Sequence, residues 1–182
     1  MPRVVLFIAT SLDGFVADVD GGVDWLFTDA DYGYTDFFGT IGALVMGRAT
    51  FDQVLGFGPW PYGDIPTTVF THRPLDIPEG VPAEVAEVAE VAEGDVAAWL
   101  ASLRETSLRG DVWLVGGGAL VRSFREAALI DRYVLSVHPV LLGDGIPLFD
   151  GTLPGAALRL IASTSFPSGL VQLTYDRALL HG

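Results

Sequence analysis

The sequence predicts an α/β fold: a mixed, mostly parallel sheet with helices on both faces and a C-terminal antiparallel hairpin. Three observations carry this. Short, continuous apolar runs at residues 4–10, 43–47, 67–71 and 112–115 have the length and composition of strands buried on both faces. Helical patterns alternate with them, as in parallel α/β sheets. The tail then changes character, with two long strand-like stretches around Pro167-Ser168-Gly169.

Residues 4–10, VVLFIAT, form the first central strand. Residues 11–28 contain Asp13-Gly14 and Asp20-Gly21-Gly22 and are expected to be loop. A helix is expected over residues 29–40, interrupted by Gly33 and packing Phe37 and Phe38 on the core. Residues 43–47, ALVMG, make the second strand, and a helix starts at Arg48 and runs to Val54. Three glycines and three prolines make residues 56–66 a loop, before the third strand at 67–71. Residues 83–93, AEVAEVAEVAE, repeat every three residues. That period fits a helix face roughly and a strand not at all, while the setting suits a short strand, so both remain open. Residues 95–108 place Val96, Trp99, Leu100 and Leu103 at helical spacing. A fourth strand at 112–115 leads to a helix at 117–128, and strands follow at 132–141, 158–166 and 170–177.

No linker divides the chain, so residues 1–182 are expected to form a single domain. Half the residues are hydrophobic and 11% aromatic, which excludes a disordered chain. No apolar run approaches the roughly 20 residues of a membrane span. The N-terminus reads as a strand and not as a signal peptide, so a cytoplasmic location is expected. The chain has no cysteine, which excludes thiolate nucleophiles and cysteine-based metal sites. His72, His138 and His181 are far apart and form no metal-binding pair, so no metal is expected. The formal net charge is −13 and all ten basic residues are arginine. Such a chain repels nucleic acid and anionic membranes. A phosphorylated ligand must therefore be held by a few arginines and backbone N–H groups.

Three strand ends are suited to that. Val115-Gly116-Gly117-Gly118-Ala119 takes a buried strand into a helix. Glycine lets backbone approach a ligand closely, and a helix N-terminus attracts anions. Val45-Met46-Gly47-Arg48-Ala49-Thr50-Phe51 repeats the arrangement and adds an arginine and a hydroxyl. Thr71-His72-Arg73 ends the third strand. Ligands of open α/β sheets bind at the carboxyl ends of strands. Each strand end also has a plain structural reading: a tight strand–helix turn at the three glycines, an ordinary surface arginine at Arg48 and a solvated loop at Thr71-His72-Arg73.

These segments, with Ser11-Leu12-Asp13-Gly14 and the stretch from Pro139 to Gly145, PVLLGDG, occur in the order and spacing of a known family. The chain resembles the dihydrofolate-reductase-like fold, and within it the stand-alone relatives of the riboflavin-biosynthesis reductase C-terminal domain. The resemblance covers about residues 3–177. It implies an NADPH-dependent reductase that transfers a hydride to a small pteridine- or pyrimidine-like heterocycle or a carbonyl compound. An NADPH-binding sensor or stress protein without turnover is the alternative. The pyrophosphate is implied between Gly47, Arg48, Ala49 and Thr50 on one side and Gly116, Gly117, Gly118, Ala119 and Leu120 on the other. The 2′-phosphate is implied near Arg48, Thr71, His72 and Arg73. The nicotinamide is implied near Ala9, under a closing loop that includes Asp13 and Gly14. Asp13 and Asp31 are the catalytic candidates, with Asp29 and Asp36 on the same segment as Asp31. Trp25, Phe51 and Trp60 are expected to wall the substrate. The zinc deaminase half that often accompanies the riboflavin reductase is missing from this sequence. Relatives dimerise through the C-terminal strands, which implies a homodimer here.

Overall fold

A computed structural model of the chain describes residues 1–82, 85–89, 95–151 and 155–178. The elements are β1 (Val4–Ser11), β2 (Phe15–Ala17), α1 (Tyr34–Phe38), β3 (Ile41–Gly47), α2 (Arg48–Gly56), β4 (Thr67–Thr71), β5 (Val85–Ala89), α3 (Asp95–Glu105), β6 (Asp111–Gly116), α4 (Gly118–Glu126), β7 (Arg132–His138), β8 (Ile146–Pro147), β9 (Leu158–Ser165) and β10 (Val171–Arg177).

Eight strands form one sheet in the order β5-β4-β3-β6-β1-β7-β10-β9. All pairings from β5 to β7 are parallel, and β10 is antiparallel to both its neighbours. This is the predicted architecture. β1 lies between β6 and β7, which explains its unbroken apolar run: both of its faces are covered. Alternate side chains divide between two cores. Val4, Leu6 and Ile8 pack with Val96, Leu100, Val121 and Phe124 of α3 and α4. Phe7 packs on the opposite side with Leu44, Met46, Phe51, Val54 and Trp113, among α1 and α2. Helices thus cover both faces, as the sequence predicts.

Several boundaries differ from the expectation. The first helix is only Tyr34–Phe38. Gly33 is left-handed at φ +77°, and a helix cannot run through that conformation. Instead, Asp31, two residues before the Gly33 N-cap, accepts hydrogen bonds from the Thr35 amide at 3.1 Å and the Thr35 hydroxyl at 2.6 Å, and so ties down the first turn of the short helix. The expected 11–28 loop contains β2, which pairs with β8 in a separate two-stranded sheet. Within the three-residue repeat, residues 85–89 are a strand parallel to β4 at the sheet edge. The remaining repeat positions lie outside the described residues, as does His181. The hairpin forms through a turn in which Gly169, at φ +88°, donates its N–H to Phe166 O. No helix among the described residues is long and apolar enough to cross a membrane.

Candidate functional site

The glycine turns after β3 and β6 meet face to face. Gly117 has φ +98°, and a Cβ built on it would lie 3.1 Å from Gly47 Cα and 3.2 Å from Gly47 N. A Cβ on Gly116 would lie 3.3 Å from Thr50 Oγ1. Backbone therefore packs on backbone, and a side chain at Gly117 would force the two turns apart. The turns start α2 and α4, and neither helix has a side-chain N-cap. Their first N–H groups, which have no partner inside the helix, are thus open to a ligand.

Between the turns lies a cleft of about 380 Å³. Gly47, Arg48, Ala49, Thr71, His72, Arg73, Gly117, Gly118, Ala119 and Leu120 line it, together with Phe70 and Ser123. Twelve of the fourteen predicted cofactor residues are thereby located at a cleft or its immediate support. Gly116 and Thr50 stand behind the lining, fixing the contact between the turns. Ala9 lines a separate cavity, and Gly14 lines neither. Gly14 instead shapes a turn, donating to Ser11 O at 3.0 Å and accepting from Leu148 N at 3.0 Å.

The polar side chains of the cleft differ in their engagement. Arg48 Nε donates to Asp52 at 2.8 Å and Nη1 to Pro74 O at 3.0 Å. Arg48 thus ties α2 to the segment after β4. Thr71 Oγ1 bonds both the carbonyl and the amide of Arg73, which turns the chain sharply there. The side chains of His72 and Arg73 are exposed and have no partner among the described residues. They are the groups left for a ligand's outer charge.

A smaller cavity of about 140 Å³ lies at the ends of β1 and β7. Phe7, Ala9, Leu26, Phe27, Asp31, Tyr32, Tyr34, Ser136, His138 and Leu170 line it. The Thr35 hydroxyl and amide hold the Asp31 carboxyl below its ordinary pKa, so it is an anion at neutral pH. As an anion Asp31 can accept from N–H groups of a ligand. Tyr32 is at φ +51°, an uncommon backbone for a tyrosine, and its hydroxyl bonds Asp29 at 2.6 Å and Ser168 at 2.9 Å. Asp36, the other acid named on that segment, lies in α1 and does not line the cavity.

Asp13 does not line either cavity. Its carboxylate accepts from Ser11 Oγ at 2.6 Å, Leu142 N at 3.2 Å and Gly143 N at 2.8 Å. The Ser11 bond, with those amides, holds its pKa below the ordinary value. The catalytic expectation for Asp13 gives way to a turn-clamping role. Two of the three expected substrate walls are also corrected. Phe51 is fully buried, and Trp60 packs on it and on Tyr62, with ring centroids 5.8 and 5.1 Å apart. Both belong to the core beside α2. Trp25 supports the small cavity from behind, edge-on to His138 at 5.3 Å.

His138 and Ser136 escaped the sequence reading. His138 is buried, bonds Ser136 O through Nδ1 at 3.1 Å, and burial pushes its pKa down, so it is neutral. The available signal was two polar residues at period two in the otherwise apolar strand VLSVH.

Residues 2–172 match the family model described as the RibD C-terminal domain. The Bacillus subtilis protein named "Uncharacterized protein YwjB" is 37% identical over 180 residues, spanning 97% of this chain and 98% of that one. The solved structure of a putative riboflavin biosynthesis protein from Shewanella sp. PV-4 is 33% identical, with a TM-score of 0.82 over 98% of this chain and all of the other. Dihydrofolate reductase from Enterococcus faecalis, solved with NADP(H), is 20% identical with a TM-score of 0.68 over 96% of each chain, a likeness of fold. The chain belongs to the RibD C-terminal domain family and has the dihydrofolate-reductase-like fold.

Proposed function

We propose that this member of the RibD C-terminal domain family is an NADPH-dependent reductase of a small, planar heterocyclic or carbonyl compound. The observation that carries this is the contact between the Gly47 and Gly117 turns, with two uncapped helix N-termini opening into one cleft. That arrangement binds a pyrophosphate through backbone N–H groups and requires little side-chain charge. It thereby accommodates an anion in a chain of net charge −13. His72 and Arg73, exposed at the rim, suit the 2′-phosphate, and Arg48 supports them by anchoring Pro74. The small cavity beside Ala9 suits the substrate, with Phe7, Phe27 and Tyr34 to hold a flat ring and anionic Asp31 to take its N–H groups.

Bound there, NADPH supplies a hydride for a C=N or C=O bond. The protein orients the ring and excludes water from the apolar wall. Asp31, ionised at neutral pH, leaves the proton to solvent. A cytoplasmic site of action, in contact with the NADPH pool, fits this chemistry.

We also propose a homodimer through the C-terminal strands. β9 ends the sheet with every residue exposed, including Leu158, Leu160 and Ile161. An apolar edge of this length is ordinarily covered.

Calorimetry with NADPH and NADH tests the cofactor, and NADPH oxidation against a panel of pteridines, pyrimidines and carbonyl compounds tests turnover. Absence of NADPH binding up to millimolar concentration defeats the proposal. Binding without oxidation of any panel member favours the sensor alternative.

A further inference from the structure

Ala9, Ser136 and Gln172 face one another across β1, β7 and β10. Directly opposed residues project to the same side of a sheet. On that side lies the small cavity, lined by Ala9 and Ser136. Gln172 Nε2 lies 3.0 Å from Tyr32 O and 3.1 Å from Ser136 Oγ. A carbonyl oxygen only accepts, so Tyr32 O fixes this end of the amide as NH₂. The same NH₂ therefore donates to Ser136, whose oxygen accepts. The Ser136 hydrogen must point elsewhere, and no described residue accepts it. Ser136 is 6% exposed, so little solvent reaches it. A donor without an acceptor in such a place is costly unless a ligand completes it.

We infer that Ser136 is a specificity-determining donor whose hydroxyl, oriented by Gln172, selects a planar ring with a carbonyl oxygen or unprotonated ring nitrogen at that point. The inference rests on the reductase proposal only in taking the small cavity as the substrate subsite. Anionic Asp31 adds the opposite polarity, an acceptor, on the same wall. The ligand class is thus a flat ring bearing both an acceptor atom and N–H groups.

Quinoline and naphthalene share a shape and differ by one ring nitrogen, so they serve as probes in ligand-observed NMR titrations of the full chain. The ratio of their dissociation constants, naphthalene over quinoline, is expected to fall about 3–10-fold in Ser136→Ala, the net worth of one hydrogen bond. Ser136→Thr keeps the hydroxyl and retains the wild-type ratio. Gln172→Glu offers the hydroxyl an internal acceptor and lowers the ratio as Ser136→Ala does, which provides a second route should the alanine variant fail to fold. An unchanged ratio in both variants overturns the inference, as does failure of the wild-type protein to bind either probe. NADPH affinity is measured separately. Its absence defeats the reductase proposal and leaves the probe ratio still readable.

Discussion

Two adjacent glycines separate what holds the cleft together from what keeps it open. Gly117 and Gly118 differ by one position, and each can be changed to alanine, adding one methyl. At Gly117 the φ of +98° is disfavoured for any side chain, and the methyl would press on Gly47 backbone at 3.1 Å. The backbone strain alone is about 1–3 kcal/mol. For a domain of this size that lowers the Tm by about 2–12 °C. Gly118 is the first residue of α4, and a Cβ there meets nothing within 4 Å. Replacing a helical glycine with alanine is neutral or stabilising by up to about 1 kcal/mol. Gly118 lines the cleft, however, so its methyl would occupy space proposed for the ligand. Urea and thermal unfolding followed by tryptophan fluorescence, with NADPH calorimetry, resolve the two effects. Gly117→Ala is expected to lose stability and affinity together. Gly118→Ala is expected to keep stability and lose at least about tenfold in affinity, or about 1.4 kcal/mol. A fully stable Gly117→Ala refutes the contact argument. Wild-type NADPH affinity in Gly118→Ala refutes the placement of the ligand.

Arg73→Ala is expected to weaken NADPH about 10–100-fold and NADH little, because a charged hydrogen bond to the 2′-phosphate is lost. Arg48→Ala, whose guanidinium is turned to Asp52 and Pro74, loses only the anchor of that segment and is expected to weaken NADPH less than Arg73→Ala does, with little effect on NADH, and calorimetry with the pair decides between these roles. The Arg132 hydrogen bond holds the Asp176 carboxyl below its ordinary pKa of 3.8. Its contribution to stability is therefore present above about pH 4 and is lost as pH falls towards the folded-state value. Urea midpoints measured between pH 7 and pH 3 are expected to drop less in Asp176→Asn than in the wild type, from a lower starting point. Leu160→Glu on β9 is expected to convert a dimer to a monomer in sedimentation velocity, and a wild-type monomer at micromolar concentration defeats the dimer proposal.

The parallel core was legible because buried central strands announce themselves locally. TTVFT at 67–71 matches β4 to the residue, and the sharp glycine turns at Gly47 and Gly117 mark where β3 and β6 give way to helices. Elements defined by distant partners were not legible. β2 pairs with Ile146 and Pro147, far along the chain, and nothing in FVA states that. The cleft between the glycine turns was read from contiguous glycines and arginines. Of the small cavity only Ala9 and Asp31 were read, since Ser136, His138 and Gln172 become neighbours of Ala9 only through sheet register. Asp13 and Trp60 misled for the same reason. Residue type marked them as chemically able, while their partners, the amides of Leu142 and Gly143 and the ring of Phe51, were set by tertiary contacts.

The central place of β1 bears on how the chain is made. Val4 pairs with Val112, and Val5 pairs with Arg132. β1 thus gains its neighbours only after roughly 100 further residues have been made. At about 5–20 residues per second, roughly 100 residues of synthesis leave it unpaired for about 5–20 s. During that interval VVLFIAT is an apolar segment with two open edges, the kind of segment chaperones bind and aggregates recruit. Nascent chains stalled before Arg132 should accordingly be held by chaperones or lost to aggregation, and those extended past β7 should be released.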